Sequence, residues 1–308
     1  MTNPLKLINN NIQKIKLAQN KALTNFGLAV FTHNKKDKSI ILKKNISYGI
    51  NRLQKFDFIV QKDIKSDNVP VVFYVHGGSW CGGDKYGYTM FCENIAKQGY
   101  CVVNINYRLM PKVSIKTCIA DCIKAIRFFK TNNQKIFNSI KLNCKANFDK
   151  VFMIGDSAGA HLVSLIAGKQ TFGKIKLNIK IRALGLYYGV FDFNGIEHDP
   201  SSIMTNLDAY WKSIYPSTTT LYKSISTTTY VNNDFPPTFM TSGEIDKLHF
   251  QSEILYRLLK YNNIEVEYLS FKKSRQDGRH AFLNAPFLKS ATEAFDKLTK
   301  FFNKKRDA

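Results

Sequence analysis

A serine flanked by two glycines constrains this 308-residue chain more than any other feature. The segment Gly155-Asp-Ser-Ala-Gly159 has its glycines two positions before and two positions after Ser157. Where a strand reverses sharply into a helix, the residues at those positions face each other with almost no room for side chains. Val151 to Ile154 are apolar and of strand length, and the apolar residues after the turn recur at helical spacing, at Leu162, Val163, Leu165 and Ile166. The sequence therefore predicts a strand, a sharp turn and a helix, with Ser157 at the turn as a candidate nucleophile.

Short runs of apolar, β-branched and aromatic residues predict the strands of a sheet. They span residues 56–60, 70–75, 101–105, 151–154, 183–188, 237–241 and 266–271. Further helical patterns lie at about 88–98, 114–130, 248–261 and 287–302. The first two runs are joined by a polar turn and are expected to be neighbouring strands. The alternation of strands with helices predicts an α/β fold with a mostly parallel central sheet flanked by helices.

Residues 190–234 interrupt this alternation and are predicted to be an insertion. They are rich in Asn, Ser and Thr and are too long for an ordinary connection between two elements. Aromatic side chains such as Tyr210, Trp211 and Tyr215 give the segment something to bury, which favours a lid over a disordered linker. The length of the whole chain is typical of one α/β domain, so we expect a single domain over residues 1–308.

The amino-terminal segment has its own apolar pattern, with a stripe formed by Leu5, Ile8, Ile12 and Ile15. The stripe predicts an amphipathic helix that packs on its own domain, with binding to a membrane surface as the alternative. The start of the chain lacks the order of basic, apolar and small residues that marks a secretory signal, and no apolar run reaches membrane-spanning length. We therefore expect a cytoplasmic protein without a transmembrane segment.

Charge and cysteine content limit the partners of this chain. The formal charge of +22 comes from 45 Lys and Arg against 23 Asp and Glu, but the lysines are spread along the whole chain and form no basic stripe. We therefore expect no nucleic-acid partner and keep docking on anionic lipid as a weaker alternative. The six cysteines show no metal-ligand spacing and are expected to be buried, reduced thiols, so no metal or cofactor is implied. The oligomeric state stays open, a homo-oligomer included.

The candidate nucleophile has its predicted partners further along the chain. A serine hydroxyl needs a base that takes its proton and a carboxylate that orients the base. Asp246 follows the predicted strand at 237–241, and His280 lies in a glycine-containing loop after the last strand. Loops at the carboxyl ends of parallel strands meet at one edge of a sheet, so these residues are expected to converge on Ser157. Rivals for the carboxylate, less well placed than Asp246 after its glycine turn, are Glu244, Asp234 and Asp192.

Backbone amides are the expected stabilisers of negative charge at this site. Attack on an acyl carbon places charge on the carbonyl oxygen, and fixed N–H donors stabilise it without reorganisation. Gly77 and Gly78 follow the strand at 70–75 and lack side chains, so their loop can approach a substrate closely. Together with the amide of Ala158, at the start of the helix after the turn, they form the predicted oxyanion hole.

Several motifs cover most of the chain. They are His76-Gly-Gly-Ser-Trp80 with Gly83-Asp-Lys85, Tyr107-Arg-Leu109 with Pro111, Gly155-Asp-Ser-Ala-Gly159, Pro236-Pro237, Gly243 to Asp246, and His280-Ala-Phe282. Together they resemble the hormone-sensitive-lipase-like branch of the α/β-hydrolases, which includes bacterial acetyl esterase and related carboxylesterases. The resemblance implies the same triad and oxyanion amides. It also implies a cap formed by amino-terminal helices, here residues 1–45, and the insertion at 190–234.

Two residues depart from the pattern of that branch. Ser79 stands where the oxyanion loop often has a third glycine, and Ala160 stands where glycine often follows the turn. Both changes leave the donors in place. They resemble the variant of arylformamidase-like and feruloyl-esterase-like members, so the substrate class is open.

The sequence favours a serine carboxylesterase that hydrolyses small, short-acyl esters through an acyl-enzyme on Ser157. The nearest alternative is an arylformamidase-like amide hydrolase that uses the same triad and holds its ring against the aromatic insertion. A non-catalytic binding protein of the same fold is a further alternative, although such proteins usually lose a member of the triad and Ser157, Asp246 and His280 are all present.

Overall fold

The computed structural model describes residues 37–214 and 217–307, and its framework is an eight-stranded sheet. The strands are β1 (Ile40–Ser47), β2 (Lys55–Gln61), β3 (Asn68–Val75), β4 (Cys101–Ile105), β5 (Lys145–Asp156), β6 (Ile181–Tyr187), β7 (Thr238–Gly243) and β8 (Val266–Phe271). Their order in the sheet is β1-β2-β4-β3-β5-β6-β7-β8. The pairs β1–β2 and β2–β4 are antiparallel and all the others are parallel. The predicted α/β class with a mostly parallel sheet is confirmed.

The prediction that β2 and β3 are neighbours is wrong. Phe56 of β2 pairs with Ile105 of β4, and Val71 of β3 pairs with Cys101 of β4, so β4 lies between them. The chain leaves β3, passes through a helix and returns as β4 on the side that faces β2. The polar connection between β2 and β3 is long enough to pass one intervening strand, because neighbouring strands are only about 5 Å apart.

The amino-terminal region gives a second correction. Residues 40–45, which end the predicted helical cap segment, belong to β1, which pairs with β2 through Ile41 and Val60. The predicted amphipathic stripe and most of residues 1–45 lie outside the described residues.

Helices cover both faces of the sheet. They are α1 (Thr89–Ala96), α2 (Ile115–Asn138), α3 (Ala158–Thr171), α4 (Ser202–Ile214), α5 (Thr219–Ile225), α6 (His249–Tyr261) and α7 (Lys289–Asp307). Successive strand residues point to opposite faces: Phe73 of β3 packs in the core with α2 and α3, whereas Tyr74 packs in the core with α1 and α7. No helix within 37–214 and 217–307 combines the length and apolarity needed to cross a membrane.

The segment predicted as an insertion lies between β6 and β7 and contains α4 and α5 with two short 3-10 turns. Its buried aromatic residues pack together, with the rings of Phe193 and Trp211 centred 5.0 Å apart. The ring centre of Trp211 also lies 6.1 Å from that of Trp80, which belongs to the loop after β3. The insertion is therefore joined to the edge of the sheet where the parallel strands end. Its role as a lid stays a prediction.

Candidate active site

The turn around Ser157 has the strained geometry that its glycines predict. Ser157 has φ 51° and ψ −118°, and its amide donates to the carbonyl oxygen of Tyr187 over 2.8 Å. A Cβ on Gly155 would lie 2.4 Å from the carbonyl oxygen of Gly159, and a Cβ on Gly159 would lie 1.9 Å from the carbonyl oxygen of Val75. Side chains at either position would therefore force the turn apart, and the turn holds Ser157 between β5 and α3.

The structure brings Ser157, His280 and Asp246 into one hydrogen-bonded chain. Nε2 of His280 lies 3.1 Å from Oγ of Ser157, and Nδ1 of His280 lies 2.8 Å from Oδ2 of Asp246. A carboxylate accepts, so Nδ1–H donates to Asp246 and Nε2 is left to accept from the serine hydroxyl. The arrangement can take a proton from Ser157 and hold it on the imidazole.

Asp246 is held in place by its own loop. Its side chain is fully buried, and Oδ1 accepts a 2.8 Å hydrogen bond from the amide of Leu248. A Cβ on Gly243, at the end of β7, would lie 2.0 Å from the carbonyl oxygen of Gly278. Only glycine permits this close approach of the loop of Asp246 to the loop of His280.

Two of the three rival carboxylates, Glu244 and Asp192, have other partners. Glu244 pairs with Lys272 at 2.9 Å and accepts from the amide of Lys273. Asp192 accepts from the hydroxyl of Thr228 at 2.6 Å, inside the insertion. Within the described ranges, Asp246 is the carboxylate that reaches His280.

The surroundings of His280 favour its charged form. Burial opposes the charge, but the carboxylate of Asp246, through its charge and its hydrogen bond, and the charge of Asp156 together raise the pKa of His280. A base with a raised pKa holds a transferred proton more firmly, as an imidazolium needs to do between two proton transfers.

The predicted oxyanion donors differ in whether their backbone amides already have a hydrogen-bond partner. The amide of Gly77 donates to Oδ1 of Asp156 over 2.8 Å, so it is not available to a substrate and this part of the prediction is wrong. Gly78 and Ser79 follow in left-handed backbone, with φ 119° and 53°. Ala158 is the first residue of α3, directly after the nucleophile turn. The backbone amides of Ser79 and Ala158 have no hydrogen-bond acceptor among residues 37–214 and 217–307.

Asp156 is a buried carboxylate beside the candidate nucleophile that the sequence analysis did not single out. It accepts hydrogen bonds from the Tyr74 hydroxyl at 2.9 Å and the Tyr88 hydroxyl at 3.0 Å besides that from Gly77. Burial raises its pKa to about 6 against these hydrogen bonds. Its sequence signal is an acid that follows the apolar run of residues 151–154 and directly precedes Ser157.

The cysteines take no part in the hydrogen-bonded chain of Ser157, His280 and Asp246. All six are free thiols, five of them buried and Cys81 partly buried. Among the described residues, no group of three or more His, Cys, Asp and Glu side chains could hold a metal ion.

Comparison with protein families gives one match that includes most of the site. The model of the BD-FAE family matches residues 56–259. The matched range includes the loop after β3, the nucleophile turn and Asp246, and it ends before His280.

Two curated relatives come from Mycobacterium tuberculosis (strain ATCC 25618 / H37Rv). The probable carboxylic ester hydrolase LipM is 28% identical over 214 residues, which are 66% of this chain and 48% of LipM. Esterase LipQ is 27% identical over 187 residues, which are 58% of this chain and 42% of LipQ. The chain thus spans about half the length of the curated relatives it matches.

A solved structure covers almost the whole chain. Esterase B from Lactobacillus rhamnosis (HN001) superposes with a TM-score of 0.83 over 97% of this chain and 96% of its own, at 19% sequence identity. At that identity the likeness concerns the fold. The resemblance drawn from the motifs is confirmed at that level.

Proposed function

Because the chain belongs to the BD-FAE family, we propose that it is a serine carboxylesterase that hydrolyses small esters, preferentially those with short acyl chains. The observation that carries the proposal is the hydrogen-bonded chain from Ser157 through His280 to the buried Asp246. Relatives named as a carboxylic ester hydrolase and an esterase support an ester as the substrate.

The proposed reaction begins with attack of Ser157 Oγ on the ester carbonyl carbon. His280 Nε2 takes the serine proton as the C–O bond forms, and Asp246 stabilises the resulting imidazolium. When the tetrahedral intermediate collapses, the same proton passes to the leaving alcohol and the acyl group stays on Ser157. Water then attacks the acyl carbon while His280 takes its proton. When this second intermediate collapses, the bond to Ser157 Oγ breaks, His280 returns the proton to that oxygen, and the acid is released.

In this proposal, the backbone amides of Gly78, Ser79 and Ala158 donate hydrogen bonds to the negatively charged oxygen of each tetrahedral intermediate. Ser79 takes the place of Gly77, whose amide is bound to Asp156. Donors of this kind are worth about 10²- to 10³-fold in kcat each. The strained left-handed backbone at Ser79 supports the assignment, because such strain concentrates at functional sites.

The preference for short acyl chains rests on the insertion. Its aromatic cluster packs on Trp80, directly after the proposed oxyanion donors. A segment held there limits the length of the acyl group. A cytoplasmic location and the absence of a nucleic-acid partner remain predictions, and the oligomeric state is open.

Hydrolysis of p-nitrophenyl esters from acetate to long acyl chains tests the proposal, beside the Ser157→Ala variant. We expect maximal kcat/KM at short chains and loss of turnover in the variant at an unchanged Tm. Substantial residual turnover in Ser157→Ala would overturn the role of Ser157. A maximum at long chains would contradict the role of the insertion as a limiting cap.

The alternative is hydrolysis of an N-formyl aromatic amide by the same triad. The buried aromatic cluster of the insertion, with Trp80, Phe193 and Trp211 in contact, is the observation that favours it. An N-formyl anilide assayed beside the acetyl ester separates the two functions. Faster turnover of the anilide would replace the ester proposal.

A further inference from the structure

Asp156 joins two parts of the site that are far apart in sequence. It ends β5 directly before Ser157, and its side chain is almost completely buried. Oδ1 accepts from the amide of Gly77, 79 residues earlier, over 2.8 Å. Gly77 begins the loop that carries the proposed oxyanion donors, so the carboxylate connects that loop to the nucleophile turn.

The contact depends on the absence of a side chain at Gly77. A Cβ on that residue would lie 2.6 Å from Oδ2 of Asp156 and 2.8 Å from its carbonyl oxygen. Glycine therefore lets the loop lie directly on the carboxylate. The hydroxyls of Tyr74 and Tyr88 complete its hydrogen bonds and fix its orientation.

Within 37–214 and 217–307, no Lys, Arg or His side chain forms an ion pair with the carboxylate of Asp156. Among the described residues, the titratable groups that interact with it include His280 and the buried side chains of Tyr74, Tyr88, Cys92, Tyr107 and Tyr188. Among these groups His280 is the one that becomes positively charged, and the charge of Asp156 is one of the causes that raise its pKa.

We propose that Asp156 is a positioning residue for the proposed ester hydrolysis: its carboxylate holds the oxyanion loop against the nucleophile turn and stabilises the imidazolium of His280. The inference rests on the proposed function for its effect on rate. Its electrostatic part concerns His280 alone and is measurable without a substrate.

The pair Asp156→Asn and Asp156→Ala separates the two roles. An asparagine oxygen accepts from the amide of Gly77 but carries no charge, whereas alanine removes both the acceptor and the charge. For Asp156→Asn we expect the pKa of His280, followed by NMR of the imidazole, to fall, and the acid limb of kcat/KM to move to lower pH. For Asp156→Ala we expect kcat to be about 10- to 100-fold lower than in Asp156→Asn, which is about the cost of a misplaced catalytic group. We expect KM to stay within about two-fold of the wild-type value.

Tyr74→Phe is the matched control, because it removes one hydrogen bond to Asp156 and keeps the carboxylate and its contact with Gly77. Losing this bond raises the pKa of Asp156 without removing the carboxylate, so the acid limb should move less than in Asp156→Asn, which loses the charge at every pH. An unchanged pKa of His280 in Asp156→Asn, or wild-type kcat in folded Asp156→Ala, would overturn the inference. If Asp156→Ala does not fold, Asp156→Asn decides alone through the pKa of His280. Absence of ester turnover in the wild-type enzyme would instead reject the proposed function.

Discussion

Trp80 and His161 are joined by a hydrogen bond of 3.1 Å from the indole Nε1 to Nδ1 of the imidazole. On the other side of the ring, Nε2 lies 2.7 Å from the carbonyl oxygen of Ile225, to which its N–H donates. His161 thus connects the loop after β3, the helix α3 and the end of α5. Burial lowers the pKa of His161 to about 4, so the ring is neutral and keeps Nδ1 as an acceptor near neutral pH.

Replacing Trp80 with phenylalanine should destabilise the protein through this hydrogen bond. The variant leaves Nδ1 of the fully buried His161 without a donor. We expect this to lower the free energy of unfolding by about 1–3 kcal/mol, in addition to the effect of the lost contact area. Trp211→Phe is the matched control, because the Nε1 of Trp211 is also buried and has no partner in the described part of the chain. Urea unfolding of the two variants measures the difference. Equal losses would mean that the bond to His161 contributes nothing.

Asp246→Asn should abolish most activity without unfolding the protein. The amide does not stabilise an imidazolium, and its NH₂ group favours the tautomer of His280 that cannot accept from Ser157. We expect kcat to fall about 10³- to 10⁴-fold. Glu244→Gln is the control, since Glu244 pairs with Lys272 at the surface. A loss in the control as large as that in Asp246→Asn would refute the assignment of Asp246.

The pH profile of kcat/KM should have its acid limb above the ordinary pKa of histidine. His280 accepts a proton only when neutral, and its pKa is raised above 6.5, so activity is lost as the pH falls through that higher value. Wild-type kcat/KM measured from pH 5 to 9 on a short-acyl ester gives the midpoint. A midpoint below 6.5 would contradict the electrostatic account of Asp246 and Asp156.

Gly159→Ala should destabilise the nucleophile turn. The new Cβ would lie 1.9 Å from the carbonyl oxygen of Val75, so β3 and α3 must separate, at a cost of about 3 kcal/mol. Gly195→Ala is the control, because its Cβ would come no nearer than 3.6 Å to a neighbouring atom. Thermal unfolding compares them, and a Tm for Gly159→Ala equal to that of the control would show that the turn tolerates a side chain.

Local patterns were enough to predict the elements that carry the site. The period of apolar residues locates most strands and helices, and the spacing of Gly155 and Gly159 predicts the strained turn that the structure has. The strand β1 was missed because its apolar run of residues 40–42 is short and is followed by Lys43, Lys44 and Asn45 at the edge of the sheet. Ser157, Asp246 and His280 come together as expected, since each follows a parallel strand and all such strands end at one edge.

The order of strands could not be read from the same patterns. A period of two identifies a strand and its buried face, but it does not identify the neighbouring strand, and β4 enters between β2 and β3 through a crossover connection.

The division between what the sequence determines and what the tertiary structure decides follows from the range of the interactions. Turn sterics and hydrophobic periodicity act between residues a few positions apart, so the sequence determines the nucleophile turn, the elements and the chain order of Ser157, Asp246 and His280. The bond from Gly77 to Asp156 spans 79 residues and the bond from Trp80 to His161 spans 81. Which amide points to a carboxylate and which indole meets an imidazole depend on how distant segments pack, and only the folded chain decides that.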